Sequence, residues 1–304
     1  MRVAAVDIGT NSMRLLITQI TPSGSIDLVR RAVVTGLGRG VDERSEFDPT
    51  TVAATVDVLG EFGAALSDLA PDATRAVATS AARDAADGDS FLDAAEDVLG
   101  IRPEVITGDT EARFSFLGAS AGVDAEPPLL VVDVGGGSTE FVYGDTAPHY
   151  ALSIDMGSVR LTERCLPSLP AEQAAVEAAR SEADAAFAAL ELPAAAVSTI
   201  GVAGTMTSLA AIALGLPAYE RRAVHGSVLA ADRVTELVER LSGSTLSEIV
   251  AIPSLDPARA PVILGGAIVV ERAMAAASAE ELTVSEADLL DGIAISLVHG
   301  DREE

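Results

Sequence analysis

The sequence predicts an α/β protein built from two duplicated domains, and three observations carry that expectation. Its 304 residues exceed the usual size of a domain with a single core. Short apolar segments rich in β-branched residues alternate with helical stretches. The chain also opens twice in the same way: residues 3–12, VAAVDIGTNS, lie over residues 129–138, LLVVDVGGGS, and each run ends on Asp, a Gly-containing turn and a further strand.

The elements follow in order. Arg2 to Ile8, Met13 to Ile20 and Ile26 to Val34 read as three strands of a meander, separated by Gly, Asn, Pro and Ser. A helix from Thr50 to Leu69, a strand from Ala76 to Thr79, and helices from Ser90 to Leu99 and Thr110 to Ala119 come next. The break AGVDAEPP, residues 121–128, precedes a second strand block beginning at Leu129. A helix from Ala171 to Leu190 carries its acids on one side, as a solvated face does. Thr199 to Ala203 reads as a strand entering the turn at Gly204 and Thr205, with a helix following through Leu214. Pro261 to Ala277 and Glu286 to Val298 read as helices before a charged, frayed tail. The expected domains are 1–122, completed by the C-terminal helix of about 286–300, and 123–285, with 301–304 as tail.

Composition narrows the function. Asp and Glu number 46 against 20 basic residues, all of them Arg, for a net charge of −26, which disfavours nucleic acid as a partner. No apolar run approaches the roughly 20 residues that cross a bilayer. The N-terminus lacks a secretory h-region, so a soluble cytoplasmic protein with no membrane partner is expected. Cys165 is alone, which excludes an internal disulfide and a multi-cysteine metal site. A chain this acidic can hold a polyanion only by focusing positive charge through Arg, helix N-termini and a divalent cation.

Three turns suit that task. A strand ending in Asp, then Gly and a hydroxyl residue, places a carboxylate and backbone N–H groups around one small space, where phosphate and Mg2+ fit. The first comprises Asp7, Gly9, Thr10, Asn11 and Ser12, the second Asp133, Gly135, Gly136, Gly137, Ser138 and Thr139, and the third Gly204 and Thr205 at a helix start. Paired turns in duplicated halves imply a phosphate chain gripped across an interdomain cleft. By spacing alone Glu111 reads first as a helix-start acid favouring the macrodipole, with a general base as the second reading. No Ser, His and Asp constellation with recognisable spacing occurs, so acyl-enzyme chemistry is disfavoured.

The segments DIGTNSMRLL, ATSAARDA, TGDTEARFSFLGA, VVDVGGGSTEF, DMGSVRLTE, GVAGTMTSLA, AVHGSVL and SEADLLDGIAISL occur in this order. Together they resemble the exopolyphosphatase and guanosine pentaphosphate phosphohydrolase family over nearly the whole chain. DVGGGSTE and TGxxEAR are the most specific of them. The resemblance implies two duplicated actin-like, ribonuclease H-like domains. It also implies Glu111 as the catalytic base, and a cation held by Asp133, Glu140 and Asp7, Mg2+ with Mn2+ as the alternative. Arg83 and Glu140 join Glu111 as catalytic candidates, while Arg14 and Arg259 join the three turns in binding substrate. Arg113, Arg160 and His225 lie in matching motifs with structural roles, and Asp109 departs from the Glu-rich versions of its segment. The implied activity is Mg2+-assisted hydrolysis of the terminal phosphate of inorganic polyphosphate. Guanosine pentaphosphate is the alternative substrate, and a noncatalytic polyphosphate or alarmone sensor or a kinase of the same superfamily are further alternatives. A homodimer is expected by analogy alone.

Overall fold

A computed structural model describes residues 1–21 and 24–299; the charged tail expected at 301–304 lies outside the described residues. The chain divides into two compact units, Met1–Gly118 with the C-terminal segment from Leu289, and Ala119–Asp288. Each is a mixed sheet flanked by helices.

In the first lobe, β1 (Arg2–Ile8), β2 (Ser12–Thr21), β3 (Gly24–Val34), β4 (Ala73–Ala78) and β5 (Glu104–Val105) stand in the order β3-β2-β1-β4-β5. The meander β1-β2-β3 is antiparallel, and β4 and β5 add parallel to β1. β1 is apolar almost throughout because both of its faces are covered. Ala4, Val6 and Ile8 face one core with Leu59 and Phe62 of the helix Pro49–Leu69 and Phe91 of the helix Gly88–Leu99. Val3 and Ala5, on the alternate face, meet Phe114 of the helix Gly108–Gly122 and Leu290 and Ile293 of the helix Leu289–His299. The last helix lies so close to its neighbour that Gly292 packs directly on the Phe114 backbone, leaving no room for a Cβ.

The second lobe repeats the plan with β6 (Leu129–Val134), β7 (Thr139–Gly144), β8 (Pro148–Ile154), β9 (Ser198–Val202), β10 (Val228–Ala230) and β11 (Glu281–Val284). Their order is β10-β11-β9-β6-β7-β8. β6-β7-β8 is the antiparallel meander, and β9 adds parallel to β6 as β4 adds to β1. Phe141 meets Phe187 of the helix Gln173–Phe187 edge to face, with centroids 5.4 Å apart, in a core shared with the helix Ile263–Ala276.

Several boundaries move for local reasons. The strand expected to run through Ala203 ends at Val202, because Ala203 takes a φ of 71° and turns the chain into the helix Ala203–Ala213. The last helix begins at Leu289 instead of Glu286, since the Ser285 hydroxyl accepts from Ala287 N–H at 3.1 Å and holds a non-helical turn. The helix Gln173–Phe187 is shorter than the 171–190 expected, bracketed by Pro170 and Pro193. The helix expected from Pro261 begins at Ile263, after a separate 3-10 turn at Pro257–Arg259. Among the described residues no helix is long and apolar enough to cross a membrane.

Candidate active site

Each lobe builds its turn in the same manner. In the first, Gly9 N–H donates to Ser12 O at 3.1 Å, closing the turn between β1 and β2. The segment after β3 then takes the turn's carbonyls: Gly38 N–H donates to Thr10 O at 2.7 Å, and Thr35 and Gly36 N–H donate to Asn11 O at 3.1 and 3.0 Å. In a trans peptide the C=O of one residue and the N–H of the next point to opposite sides. Capture of these carbonyls therefore turns the N–H groups of Asn11 and Ser12 the other way.

In the second lobe Gly135 N–H closes the equivalent turn onto Ser138 O at 3.0 Å. The segment after β8 again takes the carbonyls: Ser158 N–H donates to Gly135 O at 3.0 Å and Val159 N–H to Gly136 O at 2.9 Å. Arg160 Nε donates to Gly137 O at 2.9 Å. The start of the helix Ser158–Cys165 is thus spent on the turn, and the N–H groups of Gly136, Gly137 and Ser138 face the opposite side. This docking requires Gly157, where a Cβ would stand 2.5 Å from Gly136 backbone atoms. Thr139, expected to bind substrate, is fully buried, and its hydroxyl donates to Met156 O at 2.5 Å. That commitment ties β7 to the following segment and makes Thr139 a fastener of the turn.

The two hairpins share spacing and register but differ in charge. Asp7 pairs across the hairpin with Arg14, whose Nε donates to Asp7 Oδ2 at 2.7 Å. At the equivalent place Asp133 stands opposite Glu140, the two carboxylates 6% and 1% exposed. Ser153, the next residue in that row, donates its hydroxyl to Glu140 Oε1 at 2.7 Å.

The first lobe brings two other candidates together. Glu111 sits in the first turn of Gly108–Gly122, with its N–H donating to Thr107 O at 2.9 Å, and is 9% exposed. Arg83, on the short helix Ser80–Asp84 that follows β4, donates from Nη1 to Glu111 Oε2 at 3.0 Å and to Ile106 O at 2.9 Å. Asp7, Arg83 and Glu111 all stand at the C-terminal edge of the parallel strands, where α/β sheets hold ligands.

In the second lobe β9 runs parallel to β6, so the turn at Gly204 follows the strand end beside Asp133. The Arg259 guanidinium lies directly against Gly204, filling the space a Cβ would need. Thr205 is buried with its methyl group against Gly266. Nearby, Glu286 accepts from the Tyr219 hydroxyl and, at 3.2 Å, from Arg221 Nε. Burial and the adjacent Glu286 carboxylate push the Tyr219 phenol up, so it remains a neutral donor.

His225 accepts at Nδ1 from Glu286 N–H at 3.1 Å, which leaves Nε2 as the donor to Gly122 O, also at 3.1 Å. Its geometry is that of a structural tie. Burial and Glu182 push the Cys165 thiol up, away from the thiolate that nucleophilic chemistry needs. Among the described residues no group of three or more His, Cys, Asp and Glu side chains is placed to hold a metal by itself. Ser153 and Arg160 are the site neighbours that sequence reasoning missed or left as buttress. Their contacts span 13 and 23 residues and carry no spacing signal.

The sequence profile of the Ppx/GppA phosphatase family matches residues 16–300. Exopolyphosphatase 2 of Mycobacterium tuberculosis (strain H37Rv) is 42% identical over 316 aligned positions, covering 97% of this chain and 98% of that protein. Among solved structures, an exopolyphosphatase-like protein superposes with a TM-score of 0.91 at 36% identity, covering 97% of each chain. A Ppx/GppA family member from Aquifex aeolicus superposes with a TM-score of 0.84 at 29% identity, covering 100% of this chain and 99% of that one.

Proposed function

As a member of the Ppx/GppA phosphatase family, and so a hydrolase of phosphoanhydrides, the chain is, we propose, an exopolyphosphatase that removes the terminal phosphate of inorganic polyphosphate. The observation that carries this reading is the buried Glu111 carboxylate held by Arg83 at the ligand-binding edge of its sheet.

Water is a poor nucleophile, and a positioned carboxylate is the group that orients it and takes its proton. In this reading Glu111 accepts the proton as the water oxygen bonds to the terminal phosphorus. The bond from phosphorus to the bridging oxygen breaks, inorganic phosphate departs, and the shortened chain keeps the electron pair. Arg83, anchored also on the Ile106 carbonyl, fixes the carboxylate's orientation. The N–H groups of the glycine turns and the guanidinium groups of Arg14 and Arg259 suit the phosphate oxygens. Asp133 and Glu140 fit Mg2+ or Mn2+: directly opposed carboxylates repel, and a hard cation that keeps several waters needs few protein oxygens. When bound, such an ion offsets phosphate charge.

The test is phosphate release from polyphosphate, guanosine pentaphosphate and ATP with Mg2+, for the wild type and Glu111→Gln. Release from polyphosphate that is lost in the variant supports the proposal. Preference for guanosine pentaphosphate would move the substrate to that alarmone, and release from none would leave a binding protein.

A further inference from the structure

The duplicated hairpins contain their own control. Reading across three strands in register, the first lobe has Asp7, Arg14 and Ala32, and the second has Asp133, Glu140 and Ser153. The same register thus carries acid, base and methyl in one copy, and acid, acid and hydroxyl in the other. The hydroxyl occurs only where the second carboxylate does.

We propose that Ser153 is the positioning residue for Glu140 in the cation-holding pair of Asp133 and Glu140. Asp7, expected from the sequence to be a metal ligand, serves Arg14 instead. The inference rests on the Mg2+ reading above and deepens it.

The physical case has two parts. Glu140 is almost wholly buried, and its terminal torsion is a broad, soft coordinate. The 2.7 Å bond from Ser153 to Oε1 removes that freedom and fixes the plane in which the carboxylate is presented. Partners of this kind orient metal-ligating carboxylates, and their loss typically weakens metal binding about 10–100-fold. In the first lobe the ion pair of Asp7 with the guanidinium already supplies positive charge at the equivalent place. A dication there would face Arg14 at close range.

The experiment measures Mn2+ binding to the full chain by electron paramagnetic resonance, without substrate. The set is wild type, Glu140→Gln, Ser153→Ala, Ser153→Thr and Asp7→Asn, each checked for an unchanged melting transition. Expected are loss of binding in Glu140→Gln, weakening of about tenfold in Ser153→Ala, recovery in Ser153→Thr, and wild-type affinity in Asp7→Asn. If Ser153→Ala does not fold, Ser153→Cys, with its weak S–H donor, replaces it. Wild-type affinity in Ser153→Ala, or weakening in Asp7→Asn equal to that in Glu140→Gln, overturns the inference while leaving the Mg2+ reading intact. Mn2+ binding indifferent to Glu140→Gln overturns both.

Discussion

Arg83 and Glu111 lie 28 residues apart in sequence and 3.0 Å apart in space, joined from Nη1 to Oε2, with the same nitrogen reaching the Ile106 carbonyl. The arginine is therefore held at two points and holds the acid in turn. Glu111→Gln is expected to lower kcat by about 10²–10⁴-fold, the usual contribution of a positioned base, while polyphosphate binding persists. Arg83→Met is expected to lower kcat too, by misorienting Glu111. Steady-state kinetics beside a filter-binding assay check both, and parallel loss of binding and turnover in Glu111→Gln would demote it to scaffold.

Arg160 closes the second turn from outside, through Nε to the Gly137 carbonyl. Replacing it by Met frees that peptide to rotate and misdirects the N–H groups of the turn. The expected result is a KM for polyphosphate raised at least about tenfold, in line with the roughly 1.5–3 kcal/mol of a charged hydrogen bond. Arg160→Lys should recover little, because an ammonium on a flexible stem does not reproduce the fixed Nε geometry. An unchanged KM in both variants would count against those N–H groups as substrate contacts.

Gly292→Ala tests the packing of the final helix on the first lobe. The added methyl would meet the Phe114 carbonyl oxygen, and overpacking of this kind costs about 1–3 kcal/mol. Calorimetry should show a lowered melting transition, whereas Gly243→Ala, which meets only ordinary contacts at 3.7 Å or more, should not.

Two helix caps set an acid limit on stability. Hydrogen bonds from Thr50 hold the Asp48 carboxyl below its usual range, and those from Thr245 do the same for Glu248. A depressed folded-state pKa contributes stability above the unfolded value of about 4, and that contribution disappears as pH falls through the folded value. The melting-temperature deficits of Asp48→Ala and Glu248→Ala should therefore be full at pH 7 and shrink below about pH 4. A deficit independent of pH would assign the caps a purely steric role.

The duplicated strand–turn–strand units are legible in the residues themselves, because strands buried on both faces leave unbroken apolar runs and each run ends on the same Asp and Gly. Asp133 and Glu140 stand out through their place in one short motif. Ser153 and Arg160 do not. A serine in a half-exposed strand and an arginine on a helix match many surface positions, and only the register of β7 with β8 gives the first its partner. Thr139 shows the reverse: its place in a conspicuous motif suggests substrate, while the fold turns its hydroxyl onto Met156.

What the sequence determined alone is local: which stretches are strands and helices, where the turns fall, and which residue types gather at them, since periodicity, glycine and charge act over a few neighbours. What only the tertiary structure decided is partnership. That Asp7 meets a guanidinium and Asp133 a carboxylate follows from strand register, and that peptide N–H groups are turned outward follows from a distant segment taking their carbonyls. Hydrogen bonds such as those from Gly38 to Thr10 and from Ser158 to Gly135 depend on the fold that brings distant segments together, and no short window of residues contains both ends of them.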